Sequence, residues 1–472
     1  MASSRVAVVG GGISGLAAAW QLVHDLPGAE VVVLDASDRP GGKLRSAVVG
    51  GVRIDVGAES MLARRPEGLD LATELGLAGA LVHPATTRAS VWSRGALHPM
   101  PGGTLMGVPA NPAAALGLLD AEEIARDEQE RDLPVTPLTQ DVSVGDYVAG
   151  RVGPAVVDRL VEPLLGGVYA GHARLLSLQA TVPALWQAAV RGESLTVAAE
   201  RAASAAAADA TPVFAGLRGG MATLAESLHT ALVARGVRVV SDTIVRALER
   251  TTGGWRLVTG PVPAPVVLDV DAVVLAVPAA PAARLLAPHS APASAELAGV
   301  DYASMAIVSL VLPRAGMPPM PGSGFLVPPV EGRTIKASTF SSAKWGWVAE
   351  AAGDLVVLRA SIGRHGEEAD LQRGDQELVA VAHKEVGEAL GGPLPRPVDA
   401  HVQRWGGGLP QYAVGHVGRV ARIGEAVAGL PGLEVAGAAY QGVGIPACIA
   451  SGRAAALAVA THLKGRATDG GE

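Results

Sequence analysis

One hexapeptide near the start of this chain constrains its fold more than any other feature. Arg5 to Val9 is a short β-branched run, and Gly10-Gly11-Gly12-Ile13-Ser14-Gly15 follows it directly. Ile13 to Val23 has helix-forming composition, and Val31 to Leu34 is a second strand-like run ending in Asp35. Strand, turn, helix, strand predicts a βαβ unit. Inside that unit each glycine has a physical reason. Gly10 permits the tight turn, Gly12 lets a pyrophosphate approach the backbone, and Gly15 lets the helix pack close to the sheet. The N-terminus of the helix offers unpaired N–H groups to the phosphates. Asp35 stands 20 residues after Gly15, where an acid bonds the ribose hydroxyls. A glycine pattern alone is weak among 60 glycines; the βαβ frame and Asp35 give it weight.

The residues that follow choose between dinucleotides. Asp38-Arg39-Pro40-Gly41-Gly42-Lys43-Leu44 supplies a second glycine pair beside basic side chains. Asp55-Val56-Gly57-Ala58-Glu59-Ser60 supplies another small-residue loop after a strand. An extended FAD needs contacts at several such points, whereas a plain NAD domain does not.

Composition sets the outer limits. The chain has 472 residues, 49 % hydrophobic and 18 % charged. It can bury a large core in about three domain-sized units, which excludes global disorder. A net charge of −7 gives no general nucleic-acid footprint. Anionic small molecules must be met by a few local Arg or Lys residues. The one cysteine, Cys448, excludes an internal disulfide framework and Cys-rich metal sites, and points to an intracellular protein. His83, His98, His172 and His416 lack metal-ligand spacing, so no metal is expected.

Met1 to Ala19 imitates a secretory signal, but the glycine fingerprint explains the same residues. Gly95 to Leu119 is uncharged, yet Pro99, Pro101, Pro109 and Pro112 exclude a continuous spanning helix. Val435 to Gly452 is broken by Pro446. No transmembrane segment is expected. Residues 66–82 read as helical, 91–112 as irregular, the charged tract 121–132 as a solvated helix or loop, and 143–210 as mostly helical. Strands are expected at Val237 to Val240, Ala272 to Val277, 305–312 and 355–361, with a closing helix at 450–463.

Taken together, G-G-G-I-S-G, D-A-S-D-R-P-G-G-K and D-V-G-A-E-S resemble the FAD-dependent amine-oxidase and porphyrinogen-oxidase superfamily. Ser143 to Val148, Leu160 to Gly171 (L-V-E-P-L-L-G-G-V-Y-A-G), Phe214 to Met221, Trp405 to His416 (W-G-G-G-L-P-Q-Y-A-V-G-H) and Ala436 to Arg453 narrow this resemblance. They are similar to the protoporphyrinogen/coproporphyrinogen oxidases of haem synthesis. The segment 335–345 resembles the Gram-positive branch, whose members oxidise coproporphyrinogen III to coproporphyrin III.

The resemblance implies an α/β fold: a discontinuous Rossmann-like FAD-binding domain, a mixed-sheet substrate domain and an α-helical insertion. The FAD parts fall at 1–90, 211–295 and 416–472, the substrate domain at 91–106 and 296–415, and the helical domain at 107–210. Non-covalent FAD is then held by Gly10, Gly11, Gly12, Ile13, Ser14, Gly15, Asp35, Gly42, Lys43, Gly57, Ala58, Glu59 and Ser60. Val245 meets the adenine half, and Trp405, Val443, Gly444 and Ile445 line the flavin end. The helical domain of the family often touches membrane. Here 121–132 is acidic and 198–210 lacks a bulky apolar face, so a cytoplasmic protein with at most weak peripheral contact is expected. Ferrochelatase is a candidate partner on the same ground.

Conversion of a porphyrinogen to a porphyrin removes six electrons and six protons. Three two-electron cycles are needed, with O₂ as acceptor and H₂O₂ as product. Adjacent pyrroles stabilise the carbocation-like intermediate, so no catalytic acid or base is assigned. The substrate carboxylates need cations, and Arg64 and Arg65 follow the Gly57–Ser60 loop directly. Tyr169 is a candidate packing surface for the macrocycle. Lys336 is a candidate for a water-holding lysine near the flavin, against a plain surface lysine. Glu162 reads as a structural contact and Cys448 as a buried small hydrophobe. The alternatives are a protoporphyrinogen IX oxidase, another enzyme of the superfamily, or a non-catalytic FAD-binding partner in haem synthesis.

Overall fold

The computed structural model describes residues 4–209 and 211–469; residues 1–3, 210 and 470–472, which belong to the expected segments 1–90, 107–210 and 416–472, lie outside it. The βαβ unit opens a five-stranded parallel sheet. Its strands are β1 (Arg5–Val9), β2 (Glu30–Leu34), β3 (Arg238–Val240), β4 (Ala272–Leu275) and β5 (Leu433–Val435), in the order β3-β2-β1-β4-β5. These runs are nearly all Val, Leu and Ala because both faces of the sheet are covered, one by helices and the other by the three-stranded antiparallel sheet Ala247–Arg250, Trp255–Thr259 and Val266–Val270 with helices beside it. Helices α1 (Ile13–Asp25) and α2 (Ile445–Asp469) cross on one face, packed in one core with Leu16, Leu228 and Ile449. The five strands come from distant parts of the chain, so the cofactor-type domain is assembled discontinuously.

A seven-stranded mixed sheet forms the second layer system. Its order is 399–410, 302–313, 355–362, 335–339, 324–326, 90–93 and 96–99. All its pairs are antiparallel except that between Gly324–Leu326 and Ser90–Ser93. Its last two strands correct the irregular reading of 91–112. Arg94 and Gly95 both take positive φ (53° and 80°) and close a two-residue hairpin. Pro99 sits at the end of the outermost strand, where its missing N–H costs no ladder bond.

Residues 66–82 are only partly helical. The helix ends at Glu74, Gly76 turns the chain at φ +75°, and Leu81–Val82 pairs with Phe214–Leu217. Between Asn111 and Asp209 lies a helical unit with its own core around Leu160, Leu165, Leu176 and Leu185. Ser143 caps its helix Val144–Val152 by accepting the Asp146 N–H at 3.0 Å. A π-turn at Val157–Val161 precedes the helix Glu162–Tyr169. No helix among the described residues is long and apolar enough to cross a membrane.

The tract 121–132 is not simply solvated. Its helix Ala121–Gln129 buries Asp127, and Glu130 behind it is also fully buried. Glu130 reaches the N-terminus of helix Leu195–Ala208 and accepts from the Leu195 and Thr196 amides at 2.9 and 3.1 Å. Ser194, Thr196 and Arg151 complete its partners. A carboxylate so placed complements the helix dipole, which is why burial is tolerated there.

Candidate functional site

The glycine turn sits where β1 delivers the chain into α1. Gly10 has φ +110°, and a Cβ there would stand 2.3 Å from the Ala276 carbonyl oxygen. A Cβ on Gly15 would stand 1.9 Å from the Gly10 oxygen, so this position packs helix on turn. A Cβ on Gly12 would meet no protein atom within 4 Å. The backbone is therefore bare toward open space at the one glycine where the fingerprint needs room for a ligand. Gly12 is also the N-cap of α1 and provides no side-chain cap, leaving the first-turn amides to that space.

Other segments close around the turn. The Gly41 N–H donates to the Gly11 oxygen at 2.7 Å, and a Cβ on Gly42 would stand 3.1 Å from the Gly12 Cα. Lys43 follows, exposed, with surrounding protein near enough that desolvation lowers its ammonium pKa. Asp35 is buried at the end of β2. Its Oδ1 accepts the Ser37 N–H at 3.0 Å and its Oδ2 lies against Gly11. The Thr243 N–H donates to the Asp35 carbonyl at 2.8 Å, which brings the segment carrying Val245 alongside. Helix α2 crosses α1 closely: a Cβ on Gly452 would stand 2.0 Å from the Ser14 oxygen. Two helix N-termini thus meet at one edge of the cleft, where the buried thiol of Cys448 donates to the Gly442 and Val443 carbonyls at 3.8 Å.

At the far end, Trp405 donates its indole N–H to the Val56 oxygen at 3.0 Å, and its ring lies against Gly57. Arg359 donates to the Gly57 oxygen and to Glu59, both at 2.7 Å, and Lys344 reaches the other Glu59 oxygen at 2.5 Å. Burial alone would raise the Glu59 pKa; the Lys344 and Arg359 charges overcome it and bring it to about 2. Asp55, just before this loop, is pushed up to about 6 by burial, despite accepting the Met221 amide at 2.8 Å. The Gly437–Gly444 loop runs from β5 into α2, with Val443 against the helical unit and Ile445 buried in the α1/α2 core.

The structure separates the remaining candidates. Arg64 pairs with Asp209 at 3.2 Å and donates to the Thr211 and Ala206 carbonyls. Arg65 pairs with Glu67 at 2.7 Å, and its charge, like that of Lys43, acts on Cys448 at the cleft edge. Lys336 is not a surface lysine. It is 5 % exposed, donates to the Gly363 carbonyl at 2.7 Å, and burial brings its pKa down to about 7. Tyr169 is buried, with its ring centroid 5.5 Å from that of Tyr412. Glu162 accepts the Ala173 amide at 2.6 Å and contacts His172 at 2.9 Å, a structural tie.

These features fit an extended dinucleotide. Open backbone at Gly12, bare helix amides, a buried acid at the end of β2 and a cation on the cleft wall are what a pyrophosphate and a ribose require. A model of flavin containing amine oxidoreductases matches residues 13–460. The chain belongs to this family. Among individual relatives, the coproporphyrinogen III oxidase of Mycobacterium leprae (strain TN) is 39 % identical over 464 residues, covering 96 % of this chain and 98 % of the relative. That of Bacillus subtilis (strain 168) is 32 % identical over 472 residues, covering 97 % and 98 %. The protoporphyrinogen oxidase of Bos taurus is 32 % identical over 492 residues, covering 96 % and 98 %. A solved structure from Exiguobacterium sp. 255-15 superposes with a TM-score of 0.86 at 32 % identity, covering 98 % of this chain and all of the other. Cyclohexylamine oxidase from Brevibacterium oxydans shares the fold, with a TM-score of 0.70 at 18 % identity and coverage of 98 % and 100 %. The fold is thus that of the family, and FAD is its cofactor.

Sequence reasoning missed three side-chain groupings. Lys344 and Arg359 lie far from Glu59 in the chain, and only the sheet brings them together. Tyr412 and His416 stand within a recognised motif, but their four-residue spacing gave no hint of a stacked pair. Arg364, 4 % exposed beside Lys336, sits in a loop with no pattern of its own.

Proposed function

We propose that this protein is an FAD-dependent coproporphyrinogen III oxidase, forming coproporphyrin III with O₂ as acceptor and H₂O₂ as product. The observation that carries this reading is near full-length identity of 38–39 % to mycobacterial coproporphyrinogen III oxidases. It is joined to a cleft whose fingerprint residues are spatially intact. Bound FAD supplies the two-electron acceptance that each of three cycles needs. The chain's part is to bind and orient. Gly12, the α1 amides, Lys43 and Asp35 take the nucleotide half. The Gly57–Ser60 loop, braced by Arg359 and Lys344 through Glu59, and Trp405 shape the flavin half. No buried acid or base is needed to draw a proton from a pyrrole N–H once the neighbouring cation has formed, so solvent-exchanging groups suffice.

An amine-oxidase activity needs two aromatic rings facing each other across a substrate nitrogen. Tyr412 and Tyr440 are instead buried in different cores, and the Tyr412 ring is already stacked on His416. Protoporphyrinogen IX oxidation is the second reading, favoured by the bovine relative. Anaerobic mixing of the purified yellow protein with each porphyrinogen decides between them. Faster flavin bleaching by coproporphyrinogen III is expected. Bleaching by protoporphyrinogen IX alone would transfer the assignment, and bleaching by neither would remove both. Delivery of product to a ferrochelatase and any peripheral membrane contact belong to the same reading, and co-sedimentation with that enzyme or with vesicles tests each.

A further inference from the structure

The Gly437–Gly444 loop is held in part by α2: Ser451 Oγ accepts the Gly437 N–H at 3.0 Å, and the Cys448 thiol donates to the Gly442 and Val443 carbonyls at 3.8 Å. Gly437 and Gly442 have φ of +130° and +144°, conformations that glycine allows but does not enforce. Three more backbone groups of this loop are held by two side chains from outside both the loop and α2. The Tyr412 hydroxyl donates to the Ala438 carbonyl at 2.6 Å and accepts the Gly442 N–H at 2.8 Å. His416 donates its Nε2–H to the Tyr440 carbonyl at 3.0 Å. Both side chains are buried, and their rings stack with centroids 3.8 Å apart and an interplanar angle of 13°.

The pair is itself anchored. The Tyr412 carbonyl accepts the Ser177 N–H at 2.8 Å, and Gln411 donates to the Tyr169 carbonyl at 2.8 Å. The Tyr169 ring lies 5.5 Å from that of Tyr412 on the side of the helical unit. A single aromatic column therefore links the end of helix Glu162–Tyr169 to the loop that leads into α2. A phenol whose one donor and one acceptor are both spent on a glycine loop is a template for that loop.

We propose that Tyr412 and His416 are positioning residues for the flavin: they hold the Gly437–Gly444 loop in its cofactor-receiving shape and tie that shape, through Tyr169, to the helical unit. This rests on the reading that the loop lines the flavin. The predicted consequence is specific. Tyr412→Phe keeps the ring, the stack and the volume, and deletes both hydrogen bonds to the loop.

The test uses the full-length FAD-loaded protein. In Tyr412→Phe the FAD dissociation constant should rise tenfold or more, and the visible circular dichroism of bound flavin at saturating FAD should change. An unchanged dissociation constant with an unchanged flavin spectrum would overturn the proposal. A role confined to folding would lower the unfolding temperature of the flavin-free protein and leave the spectrum of the bound flavin as in the unsubstituted protein, which also overturns it. Should Tyr412→Phe fail to fold, hydrogen exchange in the unsubstituted holoprotein decides. Strong protection of the Gly442 amide supports the clamp, and exchange at the rate of an open loop refutes it. Absence of FAD from the unsubstituted protein would be a different failure, that of the functional reading itself.

Discussion

A Cβ on Gly42 would stand 3.1 Å from the Gly12 Cα, whereas a Cβ on Gly12 itself would meet no protein atom within 4 Å. The two glycines face each other, yet they are glycine for different reasons. Gly42 has φ +58° and a neighbour to avoid; Gly12, as N-cap of α1, has φ −69° and free space. Protein packing gives no reason for the missing side chain at Gly12; room for a pyrophosphate is the reason the fingerprint reading supplies. Gly12→Val should therefore fold with an unfolding temperature near that of the flavin-free parent and purify colourless. Gly15→Val, which drives a side chain into the Gly10 carbonyl, should fail to fold. Full FAD occupancy in Gly12→Val would show that the fingerprint is misread.

Asp127 is fully buried, and neither carboxylate oxygen has a hydrogen-bond partner. Desolvation first, then the nearby Glu130 and Glu128 charges, push its pKa up to about 7. The folded state keeps this proton between about pH 4 and 7 while the unfolded state has released it. Stability from this group is thus greatest below that window, falls as pH rises across it, and levels off above about 7. At pH 8 the loss relative to pH 5 should be about 3 kcal/mol from this group, roughly two pKa units. Urea unfolding of Asp127→Asn should lack that part of the pH dependence. An unaltered profile would mean that Asp127 is solvated after all.

Glu59 carries the opposite sign. Its pKa of about 2 means that the ionised form is stabilised in the fold. Its contribution is fully present above the ordinary carboxylate range and is lost as pH falls toward 2. Glu59→Gln leaves Lys344 and Arg359 as buried cations with no counter-charge, a change worth about 3 kcal/mol at neutral pH. Replacing Glu59 and both cations by apolar residues of similar volume should restore much of that stability. Denaturant titration of the single and triple variants measures the difference. Equal stability in all three would show the triad to be idle.

How far the site was legible from the chain follows from these residues. The turn at Gly10–Gly15, Asp35 and the parallel strands announce themselves because each depends on neighbours within a few residues. The Glu59 triad does not, since Lys344 and Arg359 reach it through separate strands of a sheet whose order local sequence does not encode. Glu130 was hidden for another reason. A charge-rich tract reads as solvated unless one knows that a helix N-terminus more than sixty residues later will meet it. Strands 90–93 and 96–99 were obscured by prolines and glycines that, at a sheet edge and in a tight hairpin, do no harm.

Lys336 offers a second titration with a distinct direction. Burial first, then the neighbouring Arg364 charge, bring its pKa down to about 7, so the folded state releases its proton long before the unfolded state does. The unfolded chain binds more protons between pH 7 and 10, and this group makes stability rise with pH across that range. Lys336→Met should flatten the rise and raise stability at pH 6. If the ammonium also serves catalysis, kcat in the parent should show a group titrating near pH 7 that is absent from the variant. A variant with the parental stability profile would place the lysine in solvent.

Arg64 and Arg65 are adjacent in sequence but differ in what they are free to bind. Arg64 is held by Asp209 and by the Ala206 and Thr211 carbonyls, so its donors are committed within the chain. Arg65 pairs with Glu67; burial raises the pKa of the Cys448 thiol, and the Lys43 and Arg65 charges act against that rise. That neighbourhood is the junction of the two helix N-termini, where phosphates rather than substrate propionates would lie. Arg65→Ala should therefore raise the FAD dissociation constant about tenfold, since a charge-assisted hydrogen bond contributes about 1.5–3 kcal/mol. With saturating FAD its KM for coproporphyrinogen III should stay near the parental value. Arg64→Ala should change neither. The reverse pattern, parental FAD affinity with a tenfold higher KM for the tetra-acid in Arg65→Ala, would assign Arg65 to a propionate. Flavin fluorescence titration and O₂ uptake on the same preparations separate the two.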